Sequence, residues 1–192
     1  MRRYCVPLLA LLLFSACNGE APSQVQNPDP NHLHADFAVW YEGEKLDFSG
    51  EEYQSGSLEE ESDPGHGGHE HLHPYVHLHD GVGHVIHVHK PGFTLREFFD
   101  SLGQLDFFTQ GHIWTMFING QEEEFTLDYE IRDLDQIFLT TSAGSAKVLD
   151  ELSRMTDDAC QYSRTCPERG DPPREDCVSD PSVPCVVPPE DL

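Results

Sequence analysis

Basic side chains are scarce in this 192-residue chain, which has 11 Lys and Arg against 35 Asp and Glu. The resulting formal charge of -24 repels nucleic acid and anionic lipid head groups, and it concentrates cations near the protein. A nucleic-acid-binding function is therefore excluded. The acidity also has a simpler interpretation, because acidic linkers and tails keep an anchored protein soluble.

Long hydrophobic runs are also missing, and the longest one is too short for a comfortable membrane span of about 20 residues. The N-terminus instead has two early arginines, an apolar stretch and small residues before Cys17. This order resembles a bacterial lipoprotein signal, so we expect removal of residues 1–16 and lipidation of Cys17. The resemblance to this class implies that Asn18, in place of Asp, favours the outer membrane if the cell has one, with the protein facing the periplasm or the cell surface. An ordinary secretory signal and an uncleaved anchor are the alternatives.

Cys-x-x-Cys pairs are absent, which argues against zinc-ribbon and thioredoxin-like redox sites. In an exported protein, closely spaced cysteines in an even number favour disulfides instead. The candidates are Cys160, Cys166, Cys177 and Cys185. Four cysteines allow three pairings, and the sequence does not choose between them.

The usual catalytic motifs are absent as well. The sequence has no His-Glu-x-x-His, no Gly-x-Ser-x-Gly and no phosphate-binding loop, and His87-Val-His89 lacks the glutamate that a cupin site needs. An enzyme is therefore not the first expectation. A small metalloenzyme with Asp36 or Asp80 as its acid or base stays an alternative.

Histidine is what the chain has in abundance, and more than half of its twelve histidines lie between His71 and His89. Most of them alternate with strand-forming residues around an Asp-Gly turn signal, which predicts a β-hairpin. A three-residue loop at 81–83, with Gly83 in the left-handed conformation, places His77 opposite His87.

The apolar residues select this register, because a slip of one residue would mix both faces of the hairpin. One face then collects Val76, Leu78, Ile86 and Val88. The predicted metal ligands on the other face are His73, His77, His79, His87 and His89. Weaker candidates are His32, His34, His71 and His84. Opposed Cβ atoms lie roughly 4.5–5.5 Å apart, which lets imidazoles converge on one ion.

The rest of the pattern predicts an α+β fold, with a small antiparallel sheet and one short helix in a β-grasp-like order. The helix begins at a Thr94 to Glu97 capping box and stops at Gly103. A hairpin at 114–125 and a last strand at 137–140 follow. A hairpin at 34–48 is expected as an addition to this sheet.

The expected organisation has four parts. Residues 1–16 are the signal peptide and 17–31 a flexible tether. The histidine-rich domain covers 32–147, with a flexible acidic and histidine-bearing loop at 49–70. Residues 148–192 form an acidic tail rich in proline and cysteine.

Three pieces of the sequence resemble a largely uncharacterised family of exported or membrane-anchored prokaryotic proteins. They are the His-Ala-Asp-Phe strand with its Gly-Glu-Lys turn (34–45), the His-Leu-His-Asp and His-Val-Ile-His-Val-His hairpin (77–89), and the Cys-Gln-Tyr-Ser and Cys-Pro-Glu-Arg-Gly tail (160–170). The hairpin is the most specific piece. Some members are labelled protein-disulfide isomerases, a label that would call for the Cys-x-x-Cys pair that this chain lacks. The resemblance implies the identity of the domain more than its chemistry.

The residues together favour a lipid-anchored cell-envelope protein that binds a divalent transition metal, Cu(II), Zn or Ni, as a metal binder or carrier. Neutral imidazole is a good ligand for these ions. Only Met116 and Met155 follow the signal, which disfavours a soft Cu(I) site. The alternatives are a solvated histidine-rich face, a metal-independent interaction protein, or a pH-responsive one in which protonated histidines repel each other.

Overall fold

A computed structural model of the chain describes residues 25–55 and 73–172. The predicted signal peptide and most of the predicted acidic loop lie outside these ranges. The same holds for the candidate residues Cys17, His71, Cys177 and Cys185.

The described residues form one mixed seven-stranded sheet with several helices, so the predicted α+β class is confirmed. The sheet is mixed rather than antiparallel, because two of its strands pair in parallel, and several helices are present rather than one. The strands are β1 (Leu33–Tyr41), β2 (Glu44–Lys45), β3 (Val76–His77), β4 (Val85–Val88), β5 (Thr115–Ile118), β6 (Gln121–Glu123) and β7 (Gln136–Thr140). The helices are α1 (Leu95–Ser101), α2 (Leu105–Thr109), α3 (Ser145–Leu152) and α4 (Ala159–Tyr162), with 3-10 turns at Glu51–Tyr53 and Pro167–Arg169. The order across the sheet is β3-β4-β1-β7-β5-β6, and β2 pairs with the end of β1.

Strand β1 is the centre of the sheet rather than an addition to it. It pairs antiparallel with β4 and parallel with β7, and its residues 34–40 are all buried. The order β4-β1-β7-β5-β6, with α1 after β4, is the order of a β-grasp sheet. The short strand β3 is the added edge, so the β-grasp order takes one strand from each of the two predicted histidine-bearing hairpins, β1 and β4.

Helix α1 covers one face of the sheet, and it begins and ends where the sequence predicts. The backbone amide of Thr94 donates to the Glu97 carboxylate at 2.8 Å, and Gly103 follows the helix with a φ of 66°. Phe98 and Phe99 are fully buried against the odd-numbered residues of β1. Burial of each such side chain contributes roughly 1.5–3 kcal/mol, so this face supplies much of the core.

The register of β3 and β4 is the predicted one. His77 lies opposite His87, and the backbone amide of His89 donates to the Tyr75 carbonyl at 2.8 Å. The side chains of Val76, Ile86 and Val88 lie in the core cluster that includes α1. Because side chains alternate with a period of two, the histidines of these strands point to the opposite face.

The turn that joins these strands differs from the prediction. The left-handed residues are Asp80 (φ 58°) and Gly81 (φ 70°), and the Val82 amide donates back across the turn at 3.0 Å. These are features of a tight two-residue turn, and extra residues before β4 restore the register. Gly83 is needed for another reason, since a Cβ there would lie 2.4 Å from the backbone nitrogen of Ser49.

The first part of the predicted tail packs on the second face of the sheet. Helix α3 covers Trp40 and Phe138, and α4 contacts β1. Cys160 and Cys166 form a disulfide, which settles one of the bonds that the sequence left open. Residues 145–172 therefore belong to the packed part of the chain.

Candidate metal centre

Six histidines contact one another on the face of the sheet opposite α1. They come from the start of β1, from β3 and the turn after it, and from the end of β4. We call this set the histidine cluster, and its members are His32, His34, His77, His79, His87 and His89. The arrangement follows from strand geometry, because every second side chain on neighbouring strands shares one face.

Four members of the histidine cluster are buried. The exposed fraction is 1% for His34, 5% for His77, 0% for His87 and 7% for His89. These four rings therefore do not form a solvated face. Several charged rings buried side by side would be costly. Neutral imidazole is the form that binds metals.

Three of these rings bring their nitrogens close enough to share one ion. His32, His34 and His87 each offer one ring nitrogen, and these atoms all lie within 4.8 Å of one another. His34 lies directly opposite His87 because β1 pairs with β4. The structure therefore combines one of the primary candidates with two that the sequence ranked lower.

Hydrogen bonds determine which nitrogen carries the proton in two other rings. His77 Nδ1 donates to the carbonyl of His73 at 2.9 Å, and His79 Nδ1 donates to the Asp80 carboxylate at 2.8 Å. Both oxygens can only accept, so a neutral ring keeps its lone pair on Nε2. Such outer partners orient metal-ligating histidines in proteins.

His77 and His89 have the spacing of two ligands around one metal. Their Nε2 atoms are 3.3 Å apart, and in the neutral cluster the His89 N–H donates to the lone pair of His77. Two imidazole nitrogens at about 2.0–2.1 Å from a tetrahedral zinc would also lie about 3.3 Å apart. The cluster therefore offers nitrogen donors at coordinating distances beyond the first three rings.

A loop from the C-terminal segment covers the cluster. The Tyr162 ring centroid lies 5.6 Å from that of His34 and 5.0 Å from that of His87, and Ser163 Oγ lies 2.8 Å from His34 Nδ1. The disulfide closes this covering loop, residues 160–166. The sequence identified both cysteines as disulfide candidates, but no local pattern connects this loop to a histidine 129 positions away.

His73, a primary candidate, has different neighbours. Its Nδ1 accepts the backbone amides of Tyr75 and Val76, each at 3.2 Å, and its ring packs edge-on against Phe93. Burial lowers the pKa of His73, and two acidic side chains of α1 oppose that shift. Through these contacts, His73 holds the backbone that leads into β3.

His84, a weaker candidate, lies with Asp36 and Asp158 in a second group of side chains that could hold a metal ion. Its Nε2 donates to Asp158 at 2.9 Å. Asp36 accepts the Thr156 hydroxyl at 2.5 Å and the amides of Asp158 and Ala159 at 3.0 and 2.9 Å. Burial raises the pKa of Asp36, and these hydrogen bonds oppose the shift. They identify Asp36 as the anchor that holds the start of α4 to β1.

Comparisons with known proteins do not extend this description. No protein-family model matches the chain, and no match was found among curated proteins or solved structures. Within residues 25–55 and 73–172, none of the helices has the length and apolar character to cross a membrane. The interpretation of the site therefore depends on its own geometry.

Proposed function

We propose that this chain is a cell-envelope protein that binds a divalent transition metal in the histidine cluster, as a metal binder or carrier. The observation that carries the proposal is the group of His32, His34 and His87, whose ring nitrogens lie within 4.8 Å of one another, with His34 and His87 buried. Three converging imidazoles are a common ligand set for such metals.

The donor atoms favour Cu(II), Zn(II) or Ni(II). Every ring in the cluster offers nitrogen, and the nearby Cys160 and Cys166 are bound to each other rather than present as thiolates. Met116 lies in the apolar core with α1. Imidazole without a thiolate or thioether suits these borderline ions better than Cu(I).

Two observations support a location in the cell envelope. The lipoprotein-like N-terminus favours a lipid anchor on Cys17 in the outer membrane, facing the periplasm or the cell surface. The Cys160–Cys166 disulfide is typical of an oxidising compartment. A Cys17→Ser variant should leave the membrane fraction of expressing cells, and its retention there would contradict the anchor.

Metal binding is tested by titrating the untagged chain with Zn, Cu(II) and Ni, using calorimetry and thermal unfolding. A ligand that binds only the folded state adds about 2.7 kcal/mol of stability at a free concentration of 100 times Kd. We expect His34→Gln/His87→Gln to lose this rise. His112→Gln should keep it, because His112 packs against Tyr41 and Trp114 instead.

Two results would contradict the cluster as the site. A metal response that survives in the double variant would assign binding to other histidines, such as the tract His66, His69 and His71. The absence of any response to the three metals would favour a pH-responsive interaction protein instead. In that case, acidification should change partner binding without any metal.

A further inference from the structure

Ser163 makes two hydrogen bonds that connect a ring of the metal site to an acid. Its Oγ lies 2.8 Å from His34 Nδ1 and donates to Asp133 Oδ1 at 2.5 Å. Both Ser163 and His34 are 1% exposed. A hydroxyl has one hydrogen, and here it goes to the carboxylate. The oxygen of Ser163 therefore accepts from His34 Nδ1–H.

Asp133 is held in place by further contacts. Its carboxylate also accepts the backbone amide of His34 at 3.1 Å and the side-chain amide of Asn27 at 3.1 Å. A charged acceptor makes stronger hydrogen bonds than a neutral one. The position of Asp133 therefore determines the direction of the Ser163 hydroxyl, and the hydroxyl determines the proton position in His34.

The disulfide belongs to the same arrangement, because it closes the covering loop that carries Ser163. Within the loop, the amide of Ser163 donates to the Ala159 carbonyl at 2.9 Å and that of Thr165 to the Cys160 carbonyl at 2.8 Å. A closed ring has fewer conformations than an open chain. Ser163 is therefore kept over His34 by both the disulfide and the backbone.

We propose that Ser163, supported by Asp133 and held by the Cys160–Cys166 disulfide, is a positioning residue of the metal site. It keeps His34 as the Nδ1–H tautomer, so that the lone pair is on Nε2 for an ion shared with His32 and His87. The role in metal affinity rests on the proposed function, whereas the effect on the His34 tautomer does not.

The tautomer is tested by nitrogen NMR of the imidazoles in the full, metal-free chain at neutral pH. The wild-type protein should show His34 protonated at Nδ1. In Ser163→Ala this preference should weaken or reverse, because no oxygen replaces the acceptor. Ser163→Thr keeps the hydroxyl and should keep the wild-type tautomer. A purely structural role for Ser163 would not change this signal.

The effect on binding is tested by zinc titration of the same proteins. Loss of an outer partner of a ligating histidine typically weakens metal affinity about 10–100-fold, and we expect this range for Ser163→Ala. Cys160→Ser/Cys166→Ser should also weaken zinc binding, since the opened loop holds Ser163 less firmly. The matched control is Cys177→Ser/Cys185→Ser, which should bind zinc as the wild type does.

Several outcomes would overturn the proposal. They are a wild-type His34 protonated at Nε2, or a Ser163→Ala variant with the wild-type tautomer and zinc affinity. Unchanged zinc affinity in Cys160→Ser/Cys166→Ser would overturn the role of the disulfide. If Ser163→Ala fails to fold, the His34 tautomer and the zinc affinity are compared between Asp133→Asn and Ser163→Thr. A wild-type chain that binds no metal would refute the proposed function, and the tautomer measurement would still decide the role of Ser163.

Discussion

The two faces of β1 are buried by different kinds of contact. Its odd-numbered residues pack against the phenylalanines of α1, while on the other face Ala38 and Trp40 pack with α3 and His34 and Asp36 meet the α4 segment. Apolar packing needs shape and volume, whereas every buried polar atom needs a partner in a particular direction. The α1 face therefore supplies stability, and the polar part of the other face carries the candidate site.

The largest effect on the free energy of unfolding is expected from a substitution on the apolar face. Phe98 is fully buried, with its ring centroid 5.0 Å from that of Phe37. Phe98→Ala should lower the free energy of unfolding by about 3–5 kcal/mol, through lost burial and the cavity left behind. Leu149→Ala, at a side chain 62% exposed on α3, should change it by less than about 0.5 kcal/mol. Urea unfolding measures both.

The same variant tests whether zinc binding on one face is independent of packing on the other. Folded Phe98→Ala should bind zinc within about threefold of the wild-type affinity, because distant sites without shared partners act independently. A much larger loss in a titration of the folded variant would show that the apolar face also shapes the histidine cluster.

An intermediate effect is expected at Gly83, just before the strand that contributes to both faces. An alanine Cβ there would lie 2.4 Å from the backbone of Ser49, which is not a flexible side-chain end. Gly83→Ala should therefore cost about 1–3 kcal/mol. In the control Gly50→Ala, the close atoms belong to the movable Glu52 carboxylate. Equal midpoints for the two variants in thermal unfolding would contradict the close approach.

The smallest effect is expected at the surface beside the covering loop. Arg169 donates to Asp157 at 2.6 Å, and this bond lowers the pKa of Asp157 from its ordinary value of 3.8. The contribution to stability is therefore present above pH 3.8 and is lost as the pH falls through the lower folded value. Asp157→Asn should slightly lower the unfolding midpoint at neutral pH and low salt, since salt screens exposed pairs. A difference that persists at lower pH would contradict the ion pair.

Features that depend on a few neighbouring residues were predicted well from the sequence. The capping box at Thr94, the hairpin at 114–125 and the pairing of His77 with His87 are all present. Each depends on turn chemistry or on the period of a helix or strand, and these are local properties. The tight turn at Asp80 was missed because two turn geometries can produce the same register.

The position of β1 was not predicted, and this error changed the ranking of the ligands. Alternation identifies a strand but carries no information about its neighbours, so the pairing of β1 with β4 was not visible. His32 and His34 were therefore ranked below His73, although they lie in the cluster and His73 makes other contacts. The covering loop was missed for the same reason.

Local sequence was sufficient to establish the acidic, histidine-rich character of the chain, its α+β class and the face that His77, His79, His87 and His89 share. Three-dimensional packing established which imidazoles converge and that Ser163 and Asp133 complete their surroundings. The physical reason is distance. Charge and periodicity are properties of neighbouring residues, whereas a metal site needs nitrogen atoms within a few ångströms, supplied by segments that are far apart in the chain.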